Sequence, residues 1–321
     1  MRALVRASLL LVIILVSLSA YLRLAHSGIG CADWPACYGR IGAPQTVSQP
    51  VSAKNAYQRI LAEASQPLAW ATPLHRLVAS VLGLFVMFLV LLAFKNKKDR
   101  LISVILLSLT VFLAFLGLKS GGLHSPAVVM GNLAGGFLML GLLAWMLFKQ
   151  SGRRIVKRRL PGSLVGFTVL LLVLQILAGG LTSANFAATS CQTLPDCHGR
   201  WLPGKELWQS MDLTADHEVT PTGQVIGGQE RTAIHITHRL LAVITSAMLL
   251  LVGLMAWKTG SLRIVGGVMM VLVLMEFSIG VAAVASSLPI GLAVAHNWLA
   301  GMLLLAMLKI VALNRPVFPV N

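Results

Sequence analysis

The chain has 321 residues, of which 57% are hydrophobic and only 11% are charged. Soluble domains carry about a quarter charged residues, so this composition excludes an ordinary soluble fold and indicates a protein embedded in lipid. The formal net charge of +16 does not indicate nucleic-acid binding, because the basic residues lie in short segments between apolar runs.

Eight apolar segments are long enough to cross a bilayer, which takes about 20 residues. We predict transmembrane helices over residues 5–24, 73–94, 101–119, 126–148, 161–184, 232–257, 262–285 and 289–312. The first segment resembles a signal peptide, since Arg2 and Arg6 precede it. We predict a retained helix there because the segment has a counterpart later in the chain. The predicted fold class is therefore an all-α integral membrane protein.

Lysines and arginines mark one side of the predicted membrane protein. They lie before the first segment, after the second, fourth and sixth, and at the end of the eighth. By the positive-inside rule this side is cytoplasmic, so we expect a multi-pass protein of the bacterial inner (plasma) membrane with both termini cytoplasmic. The long connections 25–72 and 185–231 then lie on the outer side.

The two halves of the chain repeat each other. The motif Cys31-Ala-Asp-Trp-Pro-Ala-Cys37-Tyr-Gly-Arg40 returns as Cys191-Gln-Thr-Leu-Pro-Asp-Cys197-His-Gly-Arg200, 160 residues later. At an offset of 163 the matching pairs are His75-Arg76 with His238-Arg239, Gly117 with Gly280, and Pro126 with Pro289. Each half contains four segments, so both enter the membrane from the same side. The repeat predicts two pseudo-symmetric four-helix bundles, residues 1–150 and 151–321, related by an axis along the membrane normal.

All four cysteines lie in the outer connections. Five residues separate Cys31 from Cys37 and Cys191 from Cys197, and a proline between them turns the chain back. Because the outer face of a bacterial membrane is oxidising, a structural disulfide within each pair is the simplest interpretation. A redox-active disulfide and a metal site stay open as alternatives, although this spacing is not usual for zinc.

Histidines lie within the second half in a pattern that indicates a cofactor. Ionisable residues inside a bilayer are costly and are candidates for function. His238 and His296 lie on two helices of one predicted bundle, at similar depth from the outer surface. Facing helices supply cofactor ligands in bundles, and two neutral imidazoles ligate a heme iron axially. We predict a bis-histidine heme there, with Arg239 pairing with a propionate; the alternative is a histidine that only hydrogen-bonds a neighbouring helix.

The first half repeats this pattern incompletely. His75 and Arg76 are present, but the position matching His296 falls in residues 130–134, where Asn132 is the nearest polar residue. His124 is earlier in the chain and off the repeat register. We predict a site with one strong iron ligand and an open or weak opposite side, which suits a reactive heme and equally a decayed site.

Taken together, these motifs resemble the heme A synthase family over nearly the whole chain. The resemblance rests on Ser27-Gly-Ile-Gly-Cys31-Ala-Asp-Trp-Pro-Ala-Cys37-Tyr-Gly39, His75-Arg76, Gln175-Ile-Leu-Ala-Gly179, Cys191-Gln-Thr-Leu-Pro-Asp-Cys197, His235-Ile-Thr-His238-Arg239 and His296. It implies oxidation of the C8 methyl group of heme O to a formyl group by successive hydroxylation, giving heme A for terminal oxidases. The second bundle would hold heme b on His238 and His296, and the first would receive heme O with His75 as ligand and catalytic residue. The resemblance also implies that Cys31 and Cys37 take part in redox chemistry or in heme transfer.

The first half departs from the family pattern at two positions. Thr72 stands where the family usually has a glutamate, and Asn132 stands where it usually has a histidine. In the seventh segment, Glu276 replaces the usual glutamine and either bonds a neighbouring helix or joins a proton relay. The alternatives to catalysis are a non-catalytic heme-binding assembly factor for cytochrome oxidase and a membrane b-type cytochrome.

The resemblance also suggests partners. Heme O synthase or cytochrome oxidase assembly factors, an electron donor and the lipid bilayer are expected, a homo-oligomer is possible, and no nucleic acid is expected.

Overall fold

The computed structural model describes residues 1–26, 71–119, 126–149, 159–213 and 228–315. Its long helices are α1 (Arg2–His26), α2 (Ala71–Lys95), α3 (Arg100–Lys119), α4 (Pro126–Phe148), α5 (Gly162–Ala184), α6 (Gln229–Trp257), α7 (Arg263–Ala285) and α8 (Ile290–Leu313). All eight are long and apolar enough to cross a membrane. The prediction of eight membrane-spanning helices is therefore confirmed, with each boundary within three residues of the expected one.

Prolines set the starts of three helices. α4 begins at Pro126, while Pro161 and Pro289 directly precede α5 and α8 with φ angles of −55° and −56°. The first amides of a helix have no partner within the helix, so proline costs nothing there and its fixed φ favours the helical turn. Pro126 and Pro289 are repeat partners, so the fourth helix of each half starts in the same way.

The helices pack as two rings of four. In the first half α1, α2, α3 and α4 are each packed against the next, and α1 closes the ring against α4; α5 to α8 repeat this arrangement. The halves meet where α4 packs on α8, flanked by α1 on α8 and α4 on α5. The repeat exchanges α1 with α5 and α4 with α8, so the two flanking contacts are equivalent. The arrangement agrees with two pseudo-symmetric four-helix bundles that meet through a self-complementary interface.

Apolar side chains are found both between the helices and on the outside. Leu172, Leu249 and Met307 lie in the buried core of the second half. On the outer surface, large apolar side chains are exposed along the spans, and Ile264 is 81% exposed. Lipid rather than water must cover such faces, because monomeric soluble proteins rarely expose contiguous apolar patches of this extent.

Polar contacts join the chain segments at the basic end of the molecule. Lys149 after α4 forms an ion pair with Asp99 before α3. The side chain of Asn314 after α8 accepts a hydrogen bond from the Leu160 amide at 2.9 Å and donates one to the Leu160 carbonyl at 3.1 Å. These contacts fix the end opposite to the histidines.

Candidate functional site

The two predicted histidine ligands of the second half face each other. His238 on α6 and His296 on α8 have ring centres 6.3 Å apart and ring planes at 86°. A bond from a metal ion to an imidazole nitrogen is about 2.0 Å, so two imidazoles on opposite faces of one iron have ring centres about 6 Å apart. The spacing of the pair therefore fits a single heme iron between the two rings.

A polar side chain on the preceding helix meets each ring at its Nδ1 atom. The side-chain nitrogen (Nε2) of Gln175 on α5 lies 3.2 Å from Nδ1 of His238. The carboxylate of Glu276 on α7 lies 3.3 Å from Nδ1 of His296. This is within ion-pair distance, but the two atoms are not in hydrogen-bond geometry. The Oε1 atom of Gln175 has no hydrogen-bond partner in the described part of the chain. In both cases Nε2 is the ring nitrogen left to face a metal ion.

A glycine one turn further along the same helix makes room for each ring. A Cβ atom on Gly179 would lie 3.2 Å from Cε1 of His238, and one on Gly280 would lie 3.1 Å from Cε1 of His296. These distances are shorter than nearly all real Cβ contacts. A larger residue at either position would push the ring away from its helix by a few tenths of an ångström.

Arg239, which the sequence predicts to pair with a heme propionate, contacts the outer loop of the second half. Its Nη1 atom donates to the carbonyls of Thr193 at 2.8 Å and Asp196 at 3.0 Å, and its Nη2 atom donates to the carbonyl of Cys191 at 2.9 Å. Its Nε atom lies 3.4 Å from Nε2 of His235, one turn before. Arg239 therefore holds the outer loop against α6, a role that the sequence did not indicate.

The outer loop of the second half contains a disulfide between Cys191 and Cys197, whose Cα atoms are 5.2 Å apart. Both cysteines are buried together with Ile236 of α6. The predicted disulfide of this pair is thereby confirmed. The described residues contain no group of three or more histidine, cysteine, aspartate or glutamate side chains that could hold a metal ion. Cys31 and Cys37 lie outside the described residues.

An arginine of the first half contacts α8 at the residue that follows His296, and this contact was not predicted. The Nη2 atom of Arg23, at the end of α1, lies 3.5 Å from the side-chain oxygen of Asn297 on α8. Asn297 directly follows His296 in the chain. The Nε atom of Arg23 is buried and has no hydrogen-bond partner in the described ranges. The sequence feature that could have indicated this contact is an arginine at the outer end of a span, where the positive-inside rule expects few basic residues.

The first half has a histidine but not the surroundings of the second-half pair. His75 on α2 is half-buried, and Arg76 beside it is exposed. The repeat assigns Leu113 to the position of Glu276, and Leu113 packs against Gly135 of α4. Leu133, at the position of His296, is buried in the core.

Three other residues were named for the first-half site from the sequence. Asn132 is half-buried. The side chain of Thr72 and the whole of His124 lie outside the described residues. Among the side chains that the structure describes, the first half brings no second histidine to His75.

Comparison with known proteins places the whole chain in one group. Residues 2–308 match the COX15-CtaA family, described as cytochrome oxidase assembly protein. A heme A synthase of Shewanella oneidensis is 31% identical over 315 residues, covering 96% of this chain and 94% of its own length. A heme A synthase of Neorickettsia sennetsu is 26% identical and covers 92% of this chain, and one of Granulibacter bethesdensis is 23% identical and also covers 92%. The matches extend over both bundles and the histidine pair, so this chain belongs to the COX15-CtaA family of cytochrome oxidase assembly proteins.

Proposed function

We propose that the protein is a heme A synthase, which oxidises the C8 methyl group of heme O to a formyl group. The observation that carries the proposal is the pair of facing imidazoles, with ring centres 6.3 Å apart. Relatives that cover nearly the whole chain are named for this activity. A lipid-embedded helix bundle also suits a substrate as apolar as heme O.

In this proposal the second bundle, residues 151–321, holds a resident heme b between His238 and His296. The group would supply one-electron redox chemistry. The chain fixes both rings through polar contacts at Nδ1. The role of the residues is to hold two neutral imidazoles at a fixed spacing.

The first bundle, residues 1–150, is proposed to receive heme O. His75 would ligate the substrate iron, and the exposed Arg76 is available to pair with a propionate. The position matched to His296 holds Leu133, so it supplies no second ligand to the substrate iron. Thr72 carries no carboxylate, so proton transfer in this half would rely on another group.

We further propose that the protein lies in the bacterial inner membrane with both termini in the cytoplasm. Basic residues flank the helices at one end of the molecule, as the positive-inside rule requires of the cytoplasmic side. The histidine pair and the disulfide then lie toward the outer side. An electron donor and a source of heme O, such as heme O synthase, are the partners that this activity needs.

The test is production of heme A in a bacterial host that makes heme O but lacks its own heme A synthase. We expect extracted pigments to include heme A, and the purified protein to contain heme B with a low-spin bis-histidine spectrum. His238→Ala and His296→Ala should each abolish that spectrum, because each removes one of two axial ligands. An unchanged spectrum in both variants would contradict the heme assignment.

One observation favours a second candidate, a non-catalytic heme-binding assembly factor. In the first half Leu133 stands at the position of the ligand His296, and Leu113 stands at the position of Glu276, which contacts that ligand. The same experiment separates the candidates, since the assembly factor would contain heme B alone and the host would accumulate heme O.

A further inference from the structure

The contacts of His238 and His296 repeat each other within one bundle. The helix before each histidine helix carries one polar residue and one glycine, and both contact the histidine ring. Gln175 and Gly179 on α5 contact His238, while Glu276 and Gly280 on α7 contact His296. In both helices the glycine comes four positions after the polar residue, so the two lie one turn apart on the same face.

The polar residue determines which ring nitrogen can face a metal ion. A histidine that ligates through Nε2 must carry its proton on Nδ1, and an acceptor at Nδ1 fixes both that tautomer and the ring orientation. The carboxylate of Glu276 is such an acceptor. Gln175 lies with its amide nitrogen toward Nδ1 of His238, and a half-turn of the amide about its last bond would put the side-chain oxygen there as the acceptor.

The first half supports this interpretation by contrast. The repeat assigns Leu15 to the position of Gln175, Ser19 to that of Gly179 and Leu113 to that of Glu276. Neither apolar side chain can accept a proton from an imidazole. Gln175 and Glu276 are thus present in the half with the facing histidines, and their counterparts in the other half are apolar. This is expected if the two polar residues orient the histidine ligands and are not needed for packing of the bundle.

We propose that Gln175 and Glu276 are positioning residues for the two heme ligands, and that their different charges set the reduction potential of the heme. A carboxylate at Nδ1 makes the imidazole a more basic ligand than an amide does, and it adds a negative charge near the iron. Both effects stabilise the ferric form. Glu276 therefore lowers the reduction potential, and Gln175 leaves it higher than a second carboxylate would. This inference rests on the proposed bis-histidine heme.

The experiment is redox titration of the purified heme-containing protein, followed by absorption and electron paramagnetic resonance. Glu276→Gln keeps an acceptor at Nδ1 but removes its charge, so we expect a retained low-spin spectrum and a higher midpoint potential. The expected change in the reduction equilibrium constant is about tenfold, or 59 mV for one electron. Gln175→Glu should shift the potential in the opposite direction.

Two further variants separate charge from position. The exchange Gln175→Glu with Glu276→Gln again gives one carboxylate and one amide, so its potential should return toward that of the unmodified protein. Glu276→Leu removes the acceptor and should reduce the low-spin fraction. Met275→Leu is the matched control, because Met275 is the preceding residue on α7 and is exposed to lipid; its potential should not change.

The outcomes distinguish this inference from the proposed function. If Glu276→Gln keeps the low-spin heme at an unchanged potential, the effect of charge is wrong; if Glu276→Leu keeps the full low-spin fraction, the positioning role is wrong. In both cases the heme assignment stands. If His238→Ala and His296→Ala both retain a low-spin heme, the heme assignment itself fails. An opposite pair of shifts in Glu276→Gln and Gln175→Glu supports the inference.

Discussion

At the scale of single residues, two glycines decide how closely the histidine rings approach their supporting helices. Gly179 and Gly280 each lie opposite the Cε1 atom of a ring, and an added methyl group would displace that ring by a few tenths of an ångström. Elsewhere in a helix, replacing glycine by alanine stabilises the fold by roughly 0.5–1 kcal/mol. Replacing either glycine by alanine should therefore stabilise the helix but displace the histidine ring that would bind the heme iron.

We predict that Gly280→Ala weakens heme retention several-fold while leaving the thermal stability of the heme-free protein unchanged or slightly higher. Heme content per chain after dilution, together with thermal unfolding, measures both quantities. Gly267→Ala is the control on the same helix, since a Cβ atom there has only an ordinary contact of 3.6 Å with Trp257. Equal heme retention in the two variants would show that the ring does not need the space.

At the scale of elements, the outer loop of the second half is docked on the start of α6 by two arginines. Arg231 donates to the carbonyl of Phe186 at 3.1 Å through Nε and to Thr189 at 3.0 Å through Nη2. Two turns later, Arg239 donates to three further loop carbonyls. Hydrogen bonds from charged donors contribute about 1.5–3 kcal/mol each when shielded from water. The loop is therefore part of the fold of α6.

We predict that Arg239→Met loosens this loop without breaking the disulfide, because the carbonyls lose their donors. Trypsin should then cleave after Lys205, which is exposed in the same loop, several-fold faster than in the unmodified protein. Lys258→Met, at the opposite end of α6, should leave cleavage unchanged. Equal rates in heme-containing protein would instead mean that Arg239 is engaged elsewhere, as a propionate partner would be.

At the scale of the whole molecule, the alternation of basic ends predicts the orientation in the membrane. We expect green fluorescent protein fused to the C-terminus to fluoresce, because that end is proposed to be cytoplasmic. Alkaline phosphatase inserted after Gly204 should be active, since it folds on the outer side of the membrane, whereas the same insertion after Thr259 should be inactive. The reverse pattern would overturn the proposed topology.

The sequence predicted the helices and the histidine pair for clear physical reasons. Runs of about 20 apolar residues have few alternatives to a membrane helix, and histidines are rare in such runs. The loop contacts of Arg239 could not be predicted, because backbone carbonyls are acceptors in every sequence. The contact of Arg23 with Asn297 joins residues 274 positions apart, and no local pattern marks such a pair. Gln175 and Glu276 were visible as polar residues, but their partners became clear only from the packing of the helices.

The symmetric contact between the halves has a consequence for the ancestry of the chain. A chain of half this length, paired with a second copy of itself, would form the contacts of α4 with α8, α1 with α8 and α4 with α5 from identical surfaces. After fusion of the two copies, each residue can be substituted while the residue at the matching position of the other half stays the same. The bond of Arg23 to Asn297 illustrates this freedom, since the twin positions hold Ser183 and Ala134. The two proposed heme sites of such an ancestor would have been equal, and fusion allows them to differ, as His296 and Leu133 now do.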